Sequence, residues 1–166
     1  MRHVPSDAVY VTLLGRSGWG VLNAYYAVVR EGRFIPGEIH VFTEGSGVAL
    51  LESVKEGLAR ITEAFGGAAE IRSTEIPDAD FVEAGRQISA LIRTCREQGS
   101  RVAIDITSGR KALVVGALVP LRDTEVDHIF YLDITTTEGN ALPYMMIPLP
   151  IQRLRDFARY QQRGQA

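Results

Sequence analysis

Residues 101–120, RVAIDITSGRKALVVGALVP, decide how this chain folds. The apolar run at 101–106 predicts a buried strand, and the apolar run from Gly109 to Val119 predicts a helix that Pro120 ends. The turn between them contains two adjacent cations, Arg110 and Lys111. Because a helix start favours negative charge, these cations oppose the helix dipole unless an anion binds beside them. The stretch therefore predicts a strand–turn–helix unit with an anion site at its turn.

The rest of the chain repeats this alternation of strand and helix. Four more apolar runs predict strands, and the segments between them have helical periodicity; the strands lie at 8–15, 37–44, 69–76 and 127–134. The third is the most polar of these, which favours a sheet edge. The segment TTTEGNA (135–141) predicts a hairpin turn into a sixth strand at 142–149, with a last helix at 151–162.

Strands separated by helices imply a parallel sheet that is covered on both faces. We therefore predict an α/β protein, a Rossmann-like three-layer sandwich whose mostly parallel six-stranded sheet ends in a C-terminal antiparallel hairpin. The length of 166 residues fits one domain. We expect this domain at 1–150, and a helix or tail at 151–166 that packs on it or extends from it.

Composition excludes several classes of function. The formal charge of −2 argues against long nucleic acid as a partner, because non-specific binding to phosphates needs a basic face. Cys95 is a lone cysteine and the three histidines are scattered, so we expect no metal site, disulfide or other cofactor. We see no leader segment and no apolar run of the roughly 18 residues that span a bilayer. We therefore expect no membrane partner and a cytoplasmic protein.

The first candidate ligand loop follows the first strand. Ligands of open α/β sheets bind beyond the carboxyl ends of the strands, where the strand order switches. Loop 15–20, GRSGWG, has glycines for a tight turn, but it is not a phosphate-binding P-loop. Asn23 replaces the last glycine of a dinucleotide fingerprint, and Trp19 breaks the nucleophile-elbow pattern. Either this is a plain turn with Ser17 as helix cap, or Trp19 offers a stacking surface for a base.

Two further strand ends also contain polar groups. Thr107 and Ser108 either cap the following helix or join Arg110 and Lys111 in binding a phosphate, and we favour the phosphate. The helix that follows is so apolar that we expect protein to surround it nearly completely, at a subunit interface for instance. At the end of the second strand, Thr43-Glu44 either reaches a ribose hydroxyl or caps the next helix. Asp78 is the predicted cap of the third helix.

With both loops in place, the chain resembles the CRISPR-associated Rossmann-fold (CARF) family. The resemblance lies in VYVTLLGRSGWGVLNAYYAV, in VFTEGS and in IDITSGRKALVVGAL, and it departs from many relatives at Arg110. It implies a homodimer that binds a cyclic oligoadenylate across its twofold axis, with Trp19 against an adenine. The ligand-binding residues expected from the loops and the resemblance are Gly15, Arg16, Ser17, Gly18, Trp19, Thr43, Glu44, Thr107, Ser108, Gly109, Arg110 and Lys111.

Three functions stay open at this point. Relatives usually carry an effector domain, and about 15 residues after the last predicted strand are too few for one. The resemblance then implies a ring nuclease of type III CRISPR antiviral defence. It would cleave the messenger, cyclic tetra-adenylate by preference, through slow metal-independent attack of a ribose 2′-OH, with Lys111, Arg110 and Ser17 as catalytic residues. The alternatives are a sensor that only binds the messenger for a larger or separate effector, and a general nucleotide-binding Rossmann enzyme.

Overall fold

The six-stranded sheet confirms the predicted architecture. The structure, a computed structural model, describes residues 7–122, 125–135 and 142–158. The strands run in the order β3-β2-β1-β4-β5-β6. The pairs among β1 to β5 are parallel, and β6 is antiparallel to β5. Their bounds are β1 Ala8–Leu14, β2 Glu38–Thr43, β3 Glu70–Glu75, β4 Arg101–Asp105, β5 His128–Ile134 and β6 Gln152–Asp156.

Helices cover both faces of this sheet. Side chains alternate along β1, so Tyr10 packs in one core with α1 and α2, whereas Val11 packs in the other core with α3 and α4. Every residue of β1 is buried for this reason. The more polar β3 lies at the sheet edge, as predicted. The α-helices bounded within the described residues are α1 Gly18–Arg30, α2 Leu51–Ala64, α3 Phe81–Glu97 and α4 Lys111–Leu118.

The last strand is not the predicted one. Residues 142–149 contain short 3₁₀ turns at Tyr144–Met146 and from Leu149, and the antiparallel strand is Gln152–Asp156, where we predicted a helix. Pro143 and Pro148 explain the first error, because proline has no N–H to donate to a strand ladder. Pairing with β5 explains the second, since it overrides the helical spacing of the apolar residues. Residues 136–141 of the predicted turn at 135–141 lie outside the described residues, as do the residues from 159.

Two helix starts also differ from the predictions. The cap of α3 is Asp80, whose Oδ1 accepts from the Glu83 N–H at 3.1 Å. Asp78 instead accepts the Gly45 N–H at 3.0 Å and ties the β3–α3 loop to the end of β2. Helix α4 begins at Lys111, two residues later than predicted.

Helix α4 is less covered within the chain than its sequence predicts. Its packed face lies on α3, where a Cβ on Gly85 would come within 2.2 Å of the Gly116 backbone. The other face is open, because Val115 is 58% and Val119 76% exposed. Within one chain α4 is therefore not surrounded on all sides, and its expected cover by a subunit interface stays a prediction.

Candidate anion site at the switch point of the sheet

A cavity of about 640 Å³ lies where the strand order reverses, between β1 and β4. This is the position at which open α/β sheets bind ligands. Three segments surround the cavity: the β1–α1 loop, the β4–α4 loop and the far end of β5. The lining residues are Gly15, Arg16, Ser17, Gly20, Asn23, Thr107, Ser108, Gly109, Arg110, Tyr131, Leu132 and Ile134.

Hydrogen bonds to the Asp105 side chain hold the β4–α4 loop in place. This carboxylate is fully buried, and its Oδ1 accepts from the Thr107 N–H at 3.0 Å and from the Thr107 hydroxyl at 2.6 Å. Its Oδ2 accepts from the Thr12 hydroxyl at 3.0 Å. The Thr107 oxygen also accepts the Leu132 N–H at 3.0 Å, so Thr107 connects β4 to β5. The hydroxyl hydrogen of Thr107 is therefore engaged within the fold.

Burial also changes the acidity of Asp105. Loss of solvent raises the pKa of this carboxyl from 3.8 to about 6, although the hydrogen bonds from Thr107 and Thr12 oppose the rise. The same burial raises the pKa of Tyr10 well above 10, with the charge of Asp105 as the next cause. A carboxylate under this loop is thus energetically costly at neutral pH.

Ser108 joins the β4–α4 loop to the β1–α1 loop. Its hydroxyl donates to the Ser17 carbonyl at 3.0 Å. A Cβ on Gly15 would lie 2.4 Å from the Ser108 carbonyl oxygen, and one on Gly20 would lie 2.3 Å from the Ser108 Oγ. These two glycines are therefore needed for the contact between the loops, a role that sequence analysis did not assign to them.

The capping interpretation of the hydroxyl residues is not supported. Ser17 precedes α1 but makes no capping hydrogen bond through its side chain. The residue before α4 is Arg110, so neither Thr107 nor Ser108 caps that helix. Ser17 is a lining residue of the cavity, and its side chain makes no capping hydrogen bond. The first turn of α4 has N–H groups that its own helix does not satisfy.

The predicted cations and the tryptophan differ in whether they line the cavity. Arg16 and Arg110 line the cavity, whereas Lys111 and Trp19 are outside its lining. Lys111 is an exposed residue at the start of α4, and Trp19 is 41% exposed. Arg110 forms an ion pair with Glu44, Nε to Oε2 at 3.2 Å. The cavity thus has two guanidinium residues in its lining and an ammonium at the next position along the chain.

The end of β2 approaches the cavity without lining it. Thr43 is buried and its hydroxyl donates to the Glu44 carbonyl at 3.0 Å. Glu44 is buried as well, beside Arg110. Of the remaining predicted residues, Gly109 lines the cavity and Gly18 does not.

Sequence analysis missed four lining residues, Asn23, Tyr131, Leu132 and Ile134. Pairing of β4 with β5 ends at Asp105 and Phe130, so the last four residues of β5 extend past the end of β4 and form a wall. Tyr131 is therefore an aromatic residue in the lining, the role that we expected for Trp19. The Asn23 amide donates to the Leu142 carbonyl at 2.7 Å. The register of β5 would have identified Tyr131, Leu132 and Ile134, but sequence alone does not give that register.

The described part of the chain offers neither a cluster of metal ligands nor a membrane-spanning helix. Within 7–122, 125–135 and 142–158, no group of three or more His, Cys, Asp or Glu side chains could hold a metal ion. No helix of these residues is long and apolar enough to cross a membrane.

The sheet order, the helices on both faces and the cavity at the switch point define a Rossmann-like α/β protein. No family model and no curated protein matches the sequence. Solved structures do match in fold. Protein VC1899 from Vibrio cholerae gives a TM-score of 0.58 at 13% identity over 75% of this chain.

Two further solved structures match at similar TM-scores. A type III CRISPR defence DNA nuclease activated by cyclic oligoadenylate gives a TM-score of 0.57 at 17% identity over 80% of this chain. Csm6 from Enterococcus italicus bound to cyclic hexa-2′-fluoro-hexa-dAMP gives 0.57 at 10% identity over 95% of this chain. The chain covers 30% of VC1899, 20% of the nuclease and 43% of Csm6. The chain therefore has a CARF-like Rossmann fold, as the sequence resemblance predicted.

Proposed function

We propose that this chain binds a cyclic oligoadenylate, cyclic tetra-adenylate by preference, in the cavity between β1 and β4. The observation that carries the proposal is the cavity itself, which lies at the switch point of a CARF-like fold and has Arg16 and Arg110 in its lining. Guanidinium groups suit phosphate diesters because their planar fork offers several donors. Two neighbours in fold support the ligand class, since one is activated by cyclic oligoadenylate and one is bound to a cyclic hexanucleotide.

The ligand would be shared by two copies of the chain. A cyclic oligoadenylate with an even number of nucleotides has the twofold symmetry of an isologous dimer, to which each subunit offers the same loops. Exposed valines on the packed pair of helices α3 and α4 support such a dimer: Val82 on α3 is 82% exposed, Val115 on α4 58% and Val119 at the end of α4 76%. Large exposed apolar surfaces mark interaction sites. We place the twofold axis beside α4, which starts at the cavity.

The bound ring would then be cleaved slowly. A ribose 2′-OH attacks the adjacent phosphodiester, forms a 2′,3′-cyclic phosphate and expels the 5′-oxygen, which leaves as a hydroxyl with the proton that the 2′-OH gives up. The step therefore consumes no water, and we propose that it needs no metal. The loops contribute by holding the attacking and leaving oxygens in line, as Ser17 beside the ribose would do. Arg110 and Lys111 stabilise the added negative charge on the phosphorus oxygens.

A binding-only sensor is the second candidate function, and specific contacts favour it. The hydroxyl of Thr107 is engaged by Asp105 and Leu132, and Arg110 is paired with Glu44. Lys111 lies outside the cavity lining. In this candidate the protein binds the messenger with these groups where they are and forms no product.

One assay separates the two candidates. Labelled cyclic tetra-adenylate and cyclic hexa-adenylate are incubated with the protein and a chelator, and the products are resolved for wild type, Lys111→Ala and Lys55→Ala. Lys55 is a matched control, because it is the other lysine of the chain and pairs with Glu52 on α2. Linear products that Lys111→Ala alone abolishes would support the nuclease. Binding without product would support the sensor, and absence of binding to either ring would refute both.

A further inference from the structure

Glu44 is a buried carboxylate at the edge of the candidate site. It follows β2 directly, and its side chain is 2% exposed. Neither of its two oxygens accepts a hydrogen bond from any residue that the structure describes. A buried carboxylate without hydrogen bonds is unfavourable unless a cation compensates its charge.

Arg110 supplies that cation from the other side of β1. Its Nε lies 3.2 Å from Glu44 Oε2, close enough for an ion pair, although the N–H does not point at the oxygen well enough for a hydrogen bond. Its Cζ lies 5.8 Å from the centre of the Phe81 ring at the start of α3. The guanidinium is thus fixed between a carboxylate and an aromatic face, while its side chain stays 42% exposed.

We propose that Glu44 is a positioning residue that anchors Arg110 at the rim of the cavity, so that Arg110 binds the ligand phosphate without leaving the carboxylate. The proposal rests on the proposed function for the identity of that anion. An anion that drew Arg110 away would leave a buried negative charge without compensation. A guanidinium avoids this conflict because it has five N–H donors in a fork and can contact two anions at once.

This arrangement gives Glu44 a different role from the one expected from sequence. A carboxylate that contacted the ribose would act on the ligand directly, and its effect would not depend on residue 110. A carboxylate that acts through Arg110 has no effect once the guanidinium is replaced. The two roles therefore differ in the coupling between the two positions.

The anchoring is tested first without any ligand. The ¹⁵N–¹H signal of the Arg110 side-chain Nε is identified by its loss in Arg110→Lys, and its heteronuclear NOE is measured in wild type and in Glu44→Gln. Gln has the shape of Glu without the charge, so the fold is retained. We expect a rigid Nε in wild type and a mobile one in Glu44→Gln. An Nε that is equally rigid in both proteins, or mobile already in wild type, would overturn the anchoring.

The effect on the site is tested with cyclic tetra-adenylate by calorimetry. Glu44→Gln is expected to weaken binding about tenfold, because an Arg110 that is no longer anchored would lose the equivalent of one charge-assisted hydrogen bond to the ligand phosphate. In the Arg110→Lys background it should have no further effect, whereas in the Lys111→Ala background it should retain its full tenfold effect. Tighter binding by Glu44→Gln would overturn the proposal, because it would mean that Glu44 competes with the ligand for Arg110. Equal effects in all backgrounds would also overturn it.

The two tests fail separately. If no cyclic oligoadenylate binds, the proposed function falls, and the NOE measurement still decides whether Glu44 anchors Arg110. Arg110→Lys leaves Glu44 with a poorer partner and is expected to be less stable than wild type. The double variant Glu44→Gln/Arg110→Lys removes the buried charge as well and should recover that stability.

Discussion

Replacing Asp105 by Asn should stabilise the protein, and by more at pH 8 than at pH 5. The pKa of this buried carboxyl is about 6, against 3.8 for an accessible one. The folded state thus holds the Asp105 proton more tightly than the unfolded state does. The resulting stabilisation is complete below pH 3.8 and is lost as the pH rises through about 6. At pH 8 the difference of roughly two pKa units corresponds to about 3 kcal/mol of unfavourable charge burial.

Asn removes this cost and keeps the hydrogen bonds. Its amide oxygen can accept both hydrogen bonds from Thr107, and its NH₂ group can donate to the Thr12 hydroxyl. The Thr12 hydroxyl would then accept this hydrogen bond, where in the wild type it donates. Between pH 5 and pH 8 the free energy of unfolding of the wild type should fall by about 1 kcal/mol relative to that of Asp105→Asn, because the cost of the buried charge at pH 5 is already about half of its full value.

Urea unfolding at pH 5 and pH 8 measures this difference for wild type and Asp105→Asn. The control is Asp80→Asn, which removes an exposed carboxylate and leaves a side chain that also caps helices. Its stability relative to wild type reports the general effect of losing one negative charge. A free-energy difference between Asp105→Asn and wild type that is the same at both pH values would refute the reasoning, as would destabilisation at pH 8.

Three further variants test the packing around the site. Gly20→Ala places a Cβ 2.3 Å from the Ser108 Oγ and should lower the free energy of unfolding by about 1–3 kcal/mol. Adding Ser108→Ala should restore part of that free energy, and no recovery would contradict this contact. Gly85→Ala meets the Gly116 backbone at 2.2 Å, which no side-chain change relieves, so denaturant unfolding should show a larger loss than for Gly20→Ala. Val119→Asp should be monomeric in sedimentation experiments, and the stability of the monomer should not change because Val119 is 76% exposed. A wild type that is monomeric both with and without ligand would refute the dimer.

The fold could be predicted from sequence because its signals are local. The apolar runs of β1, β2, β4 and β5 and the helices between them determine an α/β sheet, and all five parallel strands lie where we expected them. The last strand could not be located this way. The sequence QRLRD is polar enough for a helix surface, and only its pairing with β5 makes it a strand.

The candidate site was predictable in position but not in its contacts. The glycine-rich turn after β1 and the cations after β4 meet at one cavity because both strands end at the switch point. The partners of each side chain depend on distances across the sheet that no local pattern encodes. The ion pair of Arg110 with Glu44 joins residues on opposite sides of β1, and the Thr107 bond to Leu132 depends on the register of β5.

Three side chains of the turn after β4 each contact a different neighbour. Thr107 bonds to β5, Ser108 to the β1–α1 loop, and Arg110 pairs with the residue after β2. Two cations at the start of α4 are unfavourable for the helix dipole, and this is relieved within the chain for one of them, because Glu44 is the anion that pairs with Arg110. Lys111 has no such partner among the described contacts and stands beside the cavity. A phosphate bound in the proposed site would therefore meet, at this turn, one cation that Glu44 already pairs and one that the described contacts leave unpaired. The same turn is connected to β5, to the β1–α1 loop and to the end of β2 by the contacts of Thr107, Ser108 and Arg110.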